Sequence, residues 1–551
     1  MSPVDAAWLH MEDPTNLMMV TGVIMLKGQA DFARIVATFQ ERVVTLRRFR
    51  MRVRESSLPL GGPYWEDDPN FTIEAHIHRI AVAEPGGYGA FLELASDLAS
   101  TPLDFSKSPW QVHVVENVDG NTAVVLRFHH CIADGIAMVA VAMRLFDKQP
   151  NTPVALPVKN RKQHTGMLDF LLKPAQQVIK SAGDMANTLM QEGMATLQHP
   201  GRVIEFGALA TESAGILAHT LLMPGDPKTP FKGKLHVSKR VAVSPQIELD
   251  EVKRIGELAG GKVNDVLLAA MTGALRDYLI QHGAEADGLT IRAVVPVNLR
   301  PVERALELGN EFGLVFLELP IGLKDPLARV TNIRQQMDRI KKSPEAFLFF
   351  GVLSVFGLTP RQIEDQVVNI FGTKATAVMT NVAGPSEELF FAGSSIDHVM
   401  FWVPQAGHLG LGVSIYSYNG KVTLGVITDA LLVPDPERIT DRFAHEFAVL
   451  KQTALAKRAP APEPAAPPRK RATRKRQPKA TAATAAPVAE TAAPEPAPVK
   501  RTRRRKSAAP AGAAMLPEAE VAAPHNGEAT LSAPAPAVEL QDDAAPASAQ
   551  E

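Results

Sequence analysis

The chain has 551 residues, 46% of them hydrophobic and 21% charged, and its 58 basic and 59 acidic side chains leave a formal net charge of −1. That length exceeds one compact domain and the apolar content supplies large cores, so two domains plus tails are expected. The near-neutral balance gives no global signal for nucleic acid or membrane. The single cysteine, Cys131, excludes an intramolecular disulfide and a cysteine-cluster metal site, and it fits a reducing cytosol.

The first residues lack a basic n-region, and Asp5, Glu12 and Asp13 interrupt any apolar run, so no secretory signal and a cytoplasmic location are expected. Residues 1–148 read as mixed α/β. Residues 18–26 (MMVTGVIML) look like a buried strand, and 31–53 carry helical spacing through Phe32, Ile35, Val36, Phe39, Val43 and Leu46. Residues 71–80 alternate, with His76 and His78 on one side. Residues 110–116 and 122–129 form a hairpin about Asp119-Gly120-Asn121, and Asp134 caps a helix that follows.

Residues 149–235 open with Pro150, Pro153 and Pro157 and continue as helical segments, read as a crossover between domains. Their Met, Leu and Phe faces pack on the two domains in one reading and touch a lipid surface in the other. The α/β pattern resumes over 236–456. Strands are expected at 239–243, 291–297, 312–319 and 376–382, and 398–403, 411–418 and 422–428 finish a sheet. Helices are expected at 263–280, 329–340 and 434–455. The longest apolar stretch, 346–358 (AFLFFGVLSVFGL), is too short to span a membrane and reads as a core helix or an interfacial segment. Residues 457–551 collapse to Ala, Pro, Lys, Arg, Thr and Glu and are expected to be disordered. Two basic clusters there, 469–476 and 501–506, suit a polyanion such as nucleic acid or anionic lipid; the alternative is a solvated tail without a fixed partner.

The densest chemistry is HHCIADG, residues 129–135. Two histidines end an apolar run and a carboxylate follows at a tight turn. Alternation sends His129 and His130 to opposite faces, so only one imidazole enters a given cavity. His130 shares its side with Val124, Leu126 and Phe128, and His129 with Val125 and Arg127. One histidine can act as a general base on a hydroxyl. Alternatively the pair merely ends a strand and Asp134 only caps a helix, with Gly135 permitting the turn. Neighbouring histidines that face apart do not make a metal site, and Cys131 reads as a small apolar filler.

HHxxxDG resembles the signature of acyltransferases of the chloramphenicol acetyltransferase-like fold, a group that includes peptide-synthetase condensation domains and carnitine acyltransferases. The blocks SPVDAAWLHMEDPTNLMMV (2–20), PYWEDDPNF (63–71), PLDFSKSPW (102–110), NDVLLA (264–269), VPVNLR (295–300), GNEFG (309–313), TNVAGP (380–385) and SYNG (417–420) together resemble the bacterial wax ester synthase/diacylglycerol acyltransferase family. The resemblance covers residues 2–455 in the family's order. The chain departs from the family's pattern at Ser108-Pro109-Trp110, Ala383 and Cys131.

The resemblance implies two α/β domains of the chloramphenicol acetyltransferase-like fold, 1–148 and 236–456, joined by the helical crossover 149–235, with a substrate tunnel between them and the tail 457–551 outside the match. It implies an acyl-CoA-dependent O-acyltransferase making triacylglycerol, wax esters or both. His130 would be the general base, His129 supportive, and Asp134 structural and paired with an arginine, for which Arg300 is the candidate. Gly135 would form the turn. Asn264 and Asp265 would stabilise an oxyanion or the structure, and Asn298 and Asn381 would be turn residues or donors. Fatty acyl-CoA and a diacylglycerol or long-chain alcohol would be substrates at a membrane or lipid-droplet surface, with no cofactor. A same-fold enzyme with another alcohol or an amine acceptor, and a lipid-droplet scaffold with a polyanion-binding tail, are the competing readings.

Overall fold

The computed structural model describes residues 1–56, 62–153, 222–301, 304, 307–357, 368–405 and 407–458. Most of the expected crossover and all of the tail beyond 458 lie outside the described residues.

The first half of the chain supplies β1 (Met19–Leu26), β2 (Met51–Arg54), β3 (Tyr64–Asp67), β4 (Ile77–Ala81), β5 (Trp110–Val118), β6 (Asn121–His129) and β7 (Phe146–Asp147). The second supplies β8 (Lys239–Val243), β9 (Ile247–Glu248), β10 (Ile291–Asn298), β11 (Phe312–Leu319), β12 (Ala377–Ala383), β13 (Phe390–Phe391), β14 (Ser394–Trp402), β15 (Leu411–Tyr418) and β16 (Lys421–Asp429). One seven-stranded sheet has the order β4-β5-β6-β1-β14-β13-β7, and the other runs β11-β10-β12-β15-β16-β8 with β9 also on β16. The β5–β6 and β15–β16 hairpins turn at Asp119-Gly120 and Asn419-Gly420, where both central residues have positive φ, as two-residue hairpin turns require.

Two expectations are corrected. Residues 31–53 do not form one helix: helix Phe32–Arg42 stops at Val43, a 3-10 turn follows, and Met51–Arg54 pairs antiparallel with β3. The β-branched run Val43-Val44-Thr45 weakens the helix there, and a strand partner 14 residues on captures the rest. Nor does 398–403 belong with 411–428. β14 crosses to the first sheet and pairs antiparallel with β1, Thr21 opposite Trp402 and Val23 opposite Met400. The alternating strand pattern is present, but its partner lies more than 370 residues away, and period-2 alternation carries no information about partners.

That crossing welds the halves together. Phe391, fully buried, meets Phe39 edge-on at 5.9 Å within the core of the first sheet. Burying one such ring stabilises by about 1.5–3 kcal/mol. On the reverse face, helix Tyr88–Ser100 covers the outer edge of the second sheet: Ser96 Oγ accepts from the Val241 N–H (3.1 Å) and Ser100 Oγ from the Lys239 N–H (2.8 Å). Two hydroxyls one helical turn apart thus satisfy edge donors that would otherwise invite another strand.

The second sheet is incomplete at one place. Parallel pairing of β10 with β12 is confined to Ala293–Ala377 and Val294–Val378. Past those residues the strands diverge, and Pro296, which has no N–H, sits on the β10 margin of the gap. The gap opens toward the carboxyl ends of both strands, where β10 leads into Arg300.

Helix Glu345–Phe356, which answers to the apolar stretch, packs on β11 with Ala346, Phe349 and Leu353 buried while Val355 is 59% exposed. Among the described residues no helix is long and apolar enough to cross a membrane.

Candidate active site

β6 ends at His129, so the two histidines straddle the strand's last residue. The His130 N–H still donates to the Met18 carbonyl (2.7 Å), continuing the ladder by one bond, and the chain then turns into helix Gly135–Leu145. Asp134 is the N-cap, its Oδ1 accepting from the Ala137 N–H at 2.9 Å. Its Oδ2 accepts from Arg300 Nη2 (2.7 Å) and from the Glu311 N–H (3.0 Å). Both charged side chains are 3% exposed, so this is a buried ion pair between the halves. Arg300 also donates to the carbonyls of Glu307 and Gly309. The candidate arginine therefore stands beside Asp134, and Asp134 is fully engaged in structural bonds.

The loop carrying GNEFG is bridged to the HHxxxDG loop. The Gly309 N–H donates to Ile132 O and the Asp134 N–H to Gly309 O, both at 3.1 Å. Both glycines of this block have a steric reason. Gly309 has φ +112°, which side chains with a Cβ rarely adopt, and a Cβ on Gly313 would collide with the Ala346 carbonyl of the helix packed on β11. Asn310 follows Gly309 and reaches His130: Asn310 Oδ1 and His130 Nδ1 are 2.9 Å apart. Asn310 Nδ2 donates to Asp5 Oδ1 and to the His130 carbonyl, each at 2.8 Å. With the amide nitrogen committed to two acceptors, its oxygen must accept from His130, so Nδ1 carries the proton and Nε2 the lone pair.

Trp8 stacks on the His130 ring at 4.3 Å and Phe312 lies tilted at 5.5 Å. His130 is 9% exposed, and burial pushes its pKa down to about 4, against the opposite pulls of Asp134 and of the Asn310 hydrogen bond. At neutral pH the ring is uncharged. The aromatic face of Trp8 can stabilise an imidazolium formed transiently.

His129 is arranged the other way round. Its Nδ1 accepts from the Cys131 N–H (3.1 Å), so its proton is on Nε2, 3.3 Å from Glu12 Oε2. Phe105 packs edge-on at 5.0 Å. His129 has no lone pair left over and acts as a spacer between the Glu12 segment and the turn. Cys131 is fully buried, and burial pushes its thiol well above the usual range, which favours the protonated form.

Asp265 is 3% exposed and its Oδ2 accepts from the Lys262 N–H (2.7 Å), so it caps helix Val263–Gln281. Burial raises its carboxyl. Asn264 is exposed and its Oδ1 accepts from Asn381 Nδ2 (2.8 Å), tying that helix to β12. Asn298 is the last residue of β10 and folds back on Arg300, its amide bonding both the N–H and the C=O of that residue. Gly135 opens the helix that Asp134 caps. Neither Asn264 nor Asp265 has a hydrogen bond to His130 or to its partners. Asp5, Trp8, Asn310 and Phe312 escaped sequence reasoning as site residues. Their only signal was membership of the blocks 2–20 and 309–313.

The chain matches the family profile of the wax ester synthase/diacylglycerol acyltransferase catalytic domain over residues 1–267 and that of the family's C-terminal domain over 308–451. A putative diacylglycerol O-acyltransferase of Mycobacterium tuberculosis is 28% identical over 470 residues, covering 80% of this chain and 88% of the relative. A probable diacylglycerol O-acyltransferase of the same species is 25% identical, over 83% and 96% of the two chains. Among solved structures, the wax ester synthase/diacylglycerol acyltransferase from Marinobacter aquaeolei VT8 superposes with a TM-score of 0.57 at 20% identity, over 82% of this chain and 99% of that one. The first condensation domain of the calcium-dependent antibiotic synthetase does so with a TM-score of 0.50 at 14% identity, over 82% and 95%. These two likenesses establish the two-domain acyltransferase fold.

Proposed function

The chain belongs to the wax ester synthase/diacylglycerol acyltransferase family, and we propose that it transfers a long-chain acyl group from acyl-CoA to the free hydroxyl of a diacylglycerol, a long-chain alcohol or both, with His130 as general base. The observation that carries this reading is the state of His130: neutral, with its Nδ1 proton held by Asn310 and its Nε2 lone pair unspent, at the junction of the two halves.

His130 Nε2 takes the hydroxyl proton as the oxygen attacks the thioester carbonyl. A tetrahedral oxyanion forms and collapses, the carbon–sulfur bond breaks, and the imidazolium returns its proton to the departing CoA sulfur. No acyl-enzyme is needed, in keeping with a buried Cys131 whose thiol is held protonated. Acyl-CoA is a substrate, and no resident cofactor enters these steps. Asp134 and Arg300 fix the loop that carries the base. His129 supports the same loop from behind. Asn264 and Asp265 act through the helix they cap and tether.

Both substrates partition into lipid, so we place the protein in the cytoplasm, working at a membrane or lipid-droplet surface. The clusters at 469–476 and 501–506 would hold it to anionic lipid, with nucleic acid as the competing polyanion. Removal of residues after 457 should leave turnover intact and abolish low-salt binding to anionic vesicles; retained binding contradicts that role.

The activity itself is tested by incubating the protein with labelled palmitoyl-CoA and a panel of diacylglycerols, long-chain alcohols and amines. Ester products with stoichiometric CoA release are expected. Amides in place of esters would move the acceptor class, and absence of turnover with every acceptor would favour a scaffold.

A further inference from the structure

We propose that Asn310 and Asp5 are positioning residues for the reaction: together they lock His130 in the Nδ1–H tautomer and so keep its Nε2 available as the base. The inference rests on His130 being that base and adds what orients it.

The imidazole could carry its proton on either ring nitrogen, and only one choice leaves Nε2 able to accept from a hydroxyl. The choice is made by the Asn310 amide, because its oxygen faces Nδ1 at 2.9 Å. The amide could present its nitrogen instead if nothing prevented it. Two acceptors prevent it, Asp5 Oδ1 and the His130 carbonyl, both 2.8 Å from Nδ2. Asp5 Oδ1 also accepts from the Asn310 N–H at 2.9 Å, so a single carboxylate oxygen grips both the backbone and the side chain of Asn310.

Asp5 is held in turn. It is 1% exposed and sits in the first turn of helix Pro3–His10, where its own N–H donates to Ser2 Oγ (3.1 Å). Its second oxygen lies 3.5 Å from Arg48 Nη1, and the Arg48 guanidinium covers the Trp65 ring at 4.5 Å. The same helix delivers Trp8 onto the His130 ring. One short helix therefore fixes the ring's plane through Trp8 and its tautomer through Asp5.

The order carboxylate–amide–imidazole also explains why the base rests uncharged. A carboxylate directly on Nδ1 would favour the imidazolium. An interposed amide orients the ring without placing a full charge against it, and the negative charge at Asp5 stands one hydrogen bond further away. Asp134, the acid of the HHxxxDG signature, spends its oxygens on Ala137, Arg300 and Glu311. The orienting acid of this site is the one at position 5.

The test uses the full-length protein with Asp5→Asn, Asn310→Ala and Asn310→Asp. For each, kcat and KM for palmitoyl-CoA are measured across pH with excess diacylglycerol. The imidazole ¹⁵N spectrum of histidine-labelled protein reports which ring nitrogen of His130 is protonated, with its signals identified by difference against His130→Gln. Asp5→Asn is nearly isosteric and weakens the grip on the amide, because its one oxygen can face Asn310 or Arg48 but not both, and the NH2 then opposes the other donor. It should lower kcat by about 10²-fold with KM for acyl-CoA within about twofold, and the spectrum should show a mixture of tautomers. Asn310→Ala should do the same. Asn310→Asp should move the acid limb of the pH profile upward by about one unit or more, because it puts a carboxylate on Nδ1. Spectra and acid limbs unchanged in Asp5→Asn and Asn310→Ala, with any loss of kcat tracking loss of folded protein, would overturn the inference and leave both residues as fasteners of the two halves. A tautomer that shifts while kcat holds would support the orienting role and contradict His130 as base.

Discussion

The surroundings of His130 are drawn from both halves of the chain, whereas those of His129 come from the first half alone. Around His130 stand Trp8, Asn310 and Phe312, behind them Asp5, and beside the loop the Asp134–Arg300 pair. Around His129 stand Glu12, Phe105 and the Cys131 N–H. The same side chain, repeated in consecutive positions, ends up as opposite tautomers. The Nε2 lone pair of His130 is left where the two halves of the chain meet. On the other face an identical ring packs among residues of the first half, its Nδ1 bonded to the Cys131 N–H and its Nε2 3.3 Å from Glu12 Oε2.

The comparison can be broken most strongly at the ion pair that joins the halves. Arg300→Met leaves the Asp134 carboxylate buried without its cation, and removing one partner of a buried pair costs about 3–5 kcal/mol. Chemical denaturation should register that loss, with turnover falling because the His130 loop loosens; an unchanged midpoint would mean that the other links between the halves, the β1–β14 ladder among them, hold them without this pair. Acid should act next. The unfolded chain protonates His130 near its ordinary 6.5, while the folded chain does so only near 4. The unfolded state therefore binds more protons across that interval. The contribution of the buried neutral ring is complete above pH 6.5 and is lost as pH falls through about 4, on the order of 3 kcal/mol in all. Denaturation curves of wild type and His130→Gln should converge as pH drops through this window, and parallel curves would contradict it.

A smaller effect is expected from the stacked indole. Trp8→Leu keeps bulk but removes the π face over an imidazolium, worth about 0.5–2 kcal/mol, so kcat should fall by about 2- to 30-fold. A fall confined to KM would instead make Trp8 a substrate contact. Smallest of all is Asn264→Ala, at an exposed amide tethered to Asn381, where about 0.5 kcal/mol of stability or less and less than about a twofold change in kcat are expected. A loss of two orders of magnitude in kcat there would restore Asn264 as an oxyanion donor.

What was legible in the sequence divides along the same line. Strand alternation separated the two histidines, because period-2 geometry is local, and Asp134 as a helix cap is equally a matter of three residues. The β5–β6 and β15–β16 hairpins were readable from Asp-Gly and Asn-Gly turns. Illegible were the features that depend on sequence-distant pairing. β14 carries a strand pattern that does not name β1 as its partner, and Asn310 contacts His130 across 180 positions. Asp5 sits in a helix too short to declare itself by periodicity, with only the Ser2 cap and Pro3 as signals. Arg300 was nominated by its place in VPVNLR and does meet Asp134, yet nothing in the residues themselves favoured it over Arg292 or Arg304.

The most direct test compares CoA release from palmitoyl-CoA and diacylglycerol by His130→Ala and His129→Ala, each corrected for its folded fraction. With His130 as the base, His130→Ala should lose about 10²- to 10⁴-fold in kcat, while His129→Ala stays within about tenfold of wild type. Wild-type turnover by His130→Ala, or the larger loss in His129→Ala, would contradict it.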